Sequence, residues 1–221
     1  PIDPIWSASQ IEGSSRDVLR YNPSVTGVDA NQTMDLYTMM KDYAGSDDEA
    51  KGTIINDGEI MNIFPSQNVT VPVDSALVRA NGTVNANDNI VKQLQFRIEK
   101  NYLYKNDAAI LNIIAANKWK RPIYFTSPYG ELGFEKYLRQ DGMTYRLVPI
   151  ENGGVNLDWA YDKMMNKFVF GNAQNKGVYY DEENRRHLNS IRLAYAQVAG
   201  ALADAGRKAE AIKMLDKCDS M

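Results

Sequence analysis

One cysteine, one histidine and no long apolar run set the first limits on this 221-residue chain. A single thiol, Cys218, rules out an internal disulfide framework and any site built from several thiolates. The lone His187 stands beside two arginines in "DEENRRHLNSIRLAY", on a helical pattern, and is expected at the surface. No stretch approaches the roughly 18 to 20 apolar residues that a membrane-crossing helix needs, and "PIDPIW" is not a charged-then-apolar leader. A net charge of -3 removes any global attraction to nucleic acid. A glycine-rich phosphate loop is missing, because "GELG" lacks the spacing, and no serine sits between glycines as a nucleophile elbow requires. The "DDE" run at Asp47 to Glu49 lacks the alternate spacing of a cation loop. The sequence therefore predicts no cofactor, no metal and no nucleic-acid partner.

What is present is enough apolar content, 44%, for a core. The 13 tyrosines against 6 phenylalanines favour surfaces that are half wet, ordinary half-buried strands before any sugar-facing or protein-facing surface. Both ends read as cut, since the chain opens without Met and closes inside a helical pattern. Residues 1–68 read as a loop-rich segment with one helix across "NQTMDLYTMMKDYAG", striped by Leu36, Met39, Met40 and Tyr43. Residues 69–155 read as an α/β (or α+β) core. Alternation in "NVTVPVD" and "NIVKQLQFRIEK" predicts strands, with Leu94, Phe96 and Ile98 on one face. In "KNDAAILNIIAANKWKRP", Asn106 or Asp107 caps a helix burying Ile110, Leu111, Ile113 and Ile114, and Pro122 ends it. "PIYFTS", "YGELGFEKYLRQDG" and "MTYRLVPI" then read as strand, helix and strand, a parallel crossover unit.

Residues 156–221 read as helical. "LDWAYDKMMNKFVFGN" is a helix with Asp158 near its start and Gly171 past its end. The tail is a hairpin broken at Gly206, with Val198, Ala199, Leu202, Ala211, Leu215 and Cys218 at the positions of a tetratricopeptide-like repeat. Such a hairpin predicts a repeat partner beyond Met221. "NQT", "NVT" and "NGT" at Asn31, Asn68 and Asn81 match the N-glycosylation sequon, and "DSA" and "DSM" resemble an O-glycosylation tripeptide used by some bacteria outside the cytoplasm.

The succession "VPVD", "NGTV", "LYKNDAAILNIIAANKWKRPIYFT", "YLRQDGMTYRLVPI", "YDKMMNKFVFGN" and "LADAGRKAEAIKMLDKC" resembles the soluble C-terminal part of a bacterial membrane-protein family of unknown function. That family's multi-pass N-terminal half resembles protein O-mannosyltransferases, glycosyltransferases of the C type. The resemblance runs from Val69 to Cys218, most specifically at "NKWKRPIYF" and "YRLVPI". It implies a place on the outer, periplasmic face of the cytoplasmic membrane, with the membrane-embedded half of the same protein as a partner. Transferases of that type carry their catalytic carboxylates in loops between N-terminal membrane helices, which this chain lacks, so no catalytic residue carries over. The expected function is a non-catalytic accessory domain contacting acceptor protein, glycan or a partner. The alternatives are a structural scaffold and a carboxylate-dependent glycan hydrolase, which needs two carboxylates opposed across a cleft; Glu131 and Glu135, four apart on one helix face, have the spacing common on a solvated helix and are read so. Crevices in open α/β sheets open at the C-terminal ends of parallel strands, which nominates Thr126, Ser127, Tyr129 and Glu131 as ligand contacts. Trp119 and Arg121 add a stacking face and a planar donor fork.

Overall fold

A computed structural model describes residues 18–24, 27–46, 48–54, 58, 60–175 and 177–221. The loop-rich reading of 1–17 and the reading of Asp47 lie outside the described residues. The chain gathers into two compact units, each described by itself. The first takes Pro1–Ile123, Tyr129–Tyr137 and Val148–Glu151, and the second takes Tyr124–Pro128, Leu138–Leu147 and Asn152–Met221.

In the first unit, β1 (Val18–Tyr21), β3 (Gly52–Ile54), β4 (Ile60–Phe64) and β7 (Tyr102–Tyr104) form a mixed sheet of order β3-β4-β1-β7. A second sheet has order β2-β5-β6, from β2 (Met34–Asp35), β5 (Asn68–Pro72) and β6 (Gln93–Arg97). The alternation of β6 is realised as expected: Leu94 and Phe96 are buried while Gln93, Gln95 and Arg97 face out. Helix α1 (Leu36–Met39) continues as a π turn, Met40–Ala44, burying Leu36, Met39 and Met40. Helix α2 (Ser75–Ala80) is capped by Asp74, whose carboxylate accepts the Leu77 N–H at 2.9 Å.

Helix α3 (Lys105–Asn117) starts earlier than its sequence signals indicated. Asp107 is not the cap but the third helical residue, and its carboxylate reaches back to the Tyr104 N–H at 3.3 Å. The buried stripe runs through Ala108, Leu111, Ile114 and Ala115, and Ile113 turns to solvent. Parallel pairing exists in this unit, β1 with β4 and β2 with β5, each pair joined through α1 and at least one further strand.

The second unit corrects the crossover expected over "PIYFTS" to "MTYRLVPI". Strand β8 (Tyr124–Phe125) pairs β10 (Thr144–Leu147) antiparallel. The stretch between them is no helix: residues 129–137 belong to the first unit, where they end in a 3-10 turn, Glu135–Tyr137, and strand β9 (Leu138–Asp141) of the second unit then hairpins onto β10. Two glycines take left-handed backbone that a helix excludes, Gly133 at φ +82 and Gly142 at φ +66, and Gly142 takes the first of two turn positions between Asp141 and Thr144, a favoured glycine site in a tight hairpin. Arg139 and Asp141 are buried in β9 and paired at 3.0 Å.

Helix α4 (Leu157–Asn166) ends before Phe168, well short of Gly171. Lys217 closes it by donating to the Met164 and Met165 carbonyls, and burial pulls its pKa down. Helices α5 (Glu182–Asp204) and α6 (Lys208–Asp219) form the expected hairpin, with Gly206 at φ +80 between them. Tyr195, Val198, Leu202, Ala211 and Met214 make its core with Ala160 and Met164 of α4. Met214, not Leu215, takes the inward position, and Cys218 is half-buried at the edge of this cluster instead of inside it. His187 is on the surface, 3.1 Å from Glu183.

Candidate functional site

The seam after α3 is built on two consecutive left-handed residues, Lys118 at φ 46 and Trp119 at φ 61. This conformation costs a non-glycine residue about 1–2 kcal/mol, so neighbouring contacts must hold it. The Asn117 carboxamide bridges the turn, accepting the Arg121 N–H at 3.1 Å and donating to the Arg121 carbonyl at 2.7 Å. Trp119 is buried, its indole N–H bound to the Pro72 carbonyl at 2.7 Å and its own carbonyl bound by the Asn81 amide at 2.7 Å.

The turn shapes a groove of about 450 Å³ within the first unit. Val71, Ala115 and Trp119, all buried, supply its base. Tyr37 and Asp35 are half-buried in its wall, while Lys118 and Asp74 are exposed at its mouth. The Lys118 ammonium lies 4.0 Å from the centre of the Tyr37 ring. Both aspartates are helix caps that spend Oδ1 inward: Asp35 accepts from Thr38 N–H at 2.9 Å and Asp74 from Leu77 N–H at 2.9 Å. Each keeps a second oxygen for another partner.

Tyr129 and Glu131 come together elsewhere in the same unit. Lys100 Nζ donates to both oxygens of the buried Asp107 at 3.1 Å and to Glu131 at 2.6 Å, and the Tyr129 hydroxyl donates to Asp107 at 2.8 Å. Burial, reinforced by the Asp107 hydrogen bond, pushes the Tyr129 phenol up to about 12. The Glu131 hydrogen bond raises Lys100. These groups satisfy one another and pin residues 129–131 to the start of α3.

Thr126 and Ser127 belong to the second unit, where they line a pocket of about 250 Å³ with Tyr145, Ser190 and Gln197. They follow an antiparallel strand, so the crevice rule that nominated them does not apply. Arg121 is exposed. The structure thus distributes the six expected contacts over separate places, and only Trp119 lines the groove. Sequence reasoning missed Asp35, Tyr37, Asp74 and Lys118. "TMDLYT" and "PVDSAL" do carry N-cap aspartates, a readable signal, but their convergence is not readable. Of the sequons, Asn68 and Asn81 have their amides tied into the fold, while Asn31 is exposed.

Architecture and groove describe a mixed α/β body with a C-terminal helical hairpin. Residues 1–167 match the family described as TMEM260-associated domain 2, and the chain belongs to that family, a domain associated with a membrane-protein family. The match includes residues 1–68, ahead of the stretch from Val69 that carries the resemblance, and leaves the α5–α6 hairpin outside. No curated protein and no solved structure matches the chain. Among the described residues no helix is long and apolar enough to cross a membrane.

Proposed function

We propose that this chain is a non-catalytic accessory domain on the periplasmic face of a bacterial membrane glycosyltransferase of the O-mannosyltransferase-like kind, and that its groove holds acceptor polypeptide for the membrane-embedded half. Membership of a membrane-protein-associated family supports the setting. The groove beside Trp119 carries the reading: an aromatic-walled trough with two half-used carboxylates and a rigid base fits an extended polar chain. The hairpin, tetratricopeptide-like in its spacing, would contact a helical partner. Titration of the purified chain with acceptor peptides and glycans tests it. Peptide binding should be lost in a folded Tyr37→Ala variant, and absence of binding across the panel overturns the reading.

One observation favours a scaffold as the second reading: Leu193, Ile212 and Leu215 of the hairpin are 60%, 59% and 48% exposed. Glu131 and Glu135 do not share a helix, and Glu131 is bound to Lys100.

A further inference from the structure

We propose that the groove beside Trp119 is a cation-recognition site that takes a lysine or arginine side chain of a polypeptide, and that Lys118 is its resident competitor. The inference rests on the groove being the binding site of the accessory domain.

Charge complementarity and an internal occupant identify the ligand. An aromatic ring attracts a cation through its electron-rich face. The Tyr37 ring already carries one, the Lys118 ammonium at 4.0 Å, and both line the same groove as Asp35 and Asp74. Two carboxylates against one ammonium leave the groove with one negative charge in excess. The carboxylates are placed rigidly, because each is fixed by its role as a helix cap. The ammonium is not: Lys118 is exposed, on a flexible stem that starts from a left-handed residue. A cation from outside can therefore displace Lys118 from the ring while using the free carboxylate oxygens. Lys118 then swings into water at little cost.

The test follows the Trp119 indole N–H resonance, which reports from the base of the groove, while Nα-acetyl-lysine methylamide is added to the full chain. The neutral control is Nα-acetyl-norleucine methylamide. Asp35→Asn and Asp74→Asn remove charge but keep the capping oxygen, so folding is retained. Each should weaken lysine-analogue binding by about fivefold, the size of one surface charge pair. Lys118→Met should strengthen it by about two- to fivefold, the worth of the displaced cation–π contact. Equal binding of the norleucine control, weaker binding in Lys118→Met, or no shift in either wild type or Lys118→Met overturns the proposal. A basic acceptor peptide that binds wild type and all three variants alike also overturns it, and leaves the accessory-domain reading standing.

Discussion

Asn117 and Arg121 face each other like paired strand residues, although one ends a helix and the other precedes a proline: a side-chain amide supplies both hydrogen bonds, at 3.1 and 2.7 Å. That pairing closes the turn in which Lys118 and Trp119 hold left-handed backbone. The base and mouth of the groove depend on it.

Asn117→Ala should therefore destabilise the chain by about 2–3 kcal/mol, since it strands a partly buried N–H and C=O together. The urea midpoint should fall without a change in slope, and the Trp119 indole resonance should shift with it.

Two glycines at nearly the same φ should respond differently. At Gly133, φ +82, a Cβ would meet the Arg97 carbonyl oxygen at 1.9 Å, a backbone atom that cannot step aside. At Gly206, φ +80, it would meet nothing within 4 Å. Gly206→Ala should cost about 1 kcal/mol and Gly133→Ala about 3 kcal/mol or more, read from thermal melts.

The Lys100 cluster should show a steep contrast between its two acids. Asp107 is fully buried and serves Lys100, Tyr129 and the Tyr104 N–H, so Asp107→Ala should cost about 2–4 kcal/mol. Glu131 is 67% exposed at its side chain, and Glu131→Gln should cost under about 1 kcal/mol. Denaturant unfolding of both variants measures the difference.

Tyr129 gives a pH dependence of defined sign. Its folded pKa is raised from 10.0 to about 12. The folded state therefore keeps a proton that the unfolded state loses, and the contribution is complete below pH 10 and declines as pH rises toward 12. The stability gap between wild type and Tyr129→Phe should narrow across that window.

Much of the architecture was legible because its causes are local. Leu94, Phe96 and Ile98 alternate and are buried; Gly206 stands where two helices must separate. Leu36, Met39 and Met40 make the buried stripe that their spacing announced. The stretch 129–142 reads as helical because its apolar residues carry a helical spacing, but Gly133 sits at positive φ against the Arg97 backbone and Gly142 at positive φ in the hairpin turn, and neither position admits a helix. Ile113 and Leu215 have the same apolar character as their buried neighbours, and only the packed surroundings assign them to solvent.

The sequence by itself determined the strands β5 and β6, the existence of helices α1, α3 and α4 and the helical hairpin, since backbone preference and apolar period act between residues a few positions apart. The short strands β1 to β4 and the β9–β10 hairpin came only with the tertiary pairing. The tertiary structure alone decided that Asp35, Tyr37, Asp74, Lys118 and Trp119 meet at one groove. Contacts such as Trp119 to Pro72 and Asn81 to Trp119 close long loops. Their partners are selected by the packing of whole sheets and helices, which no short pattern encodes.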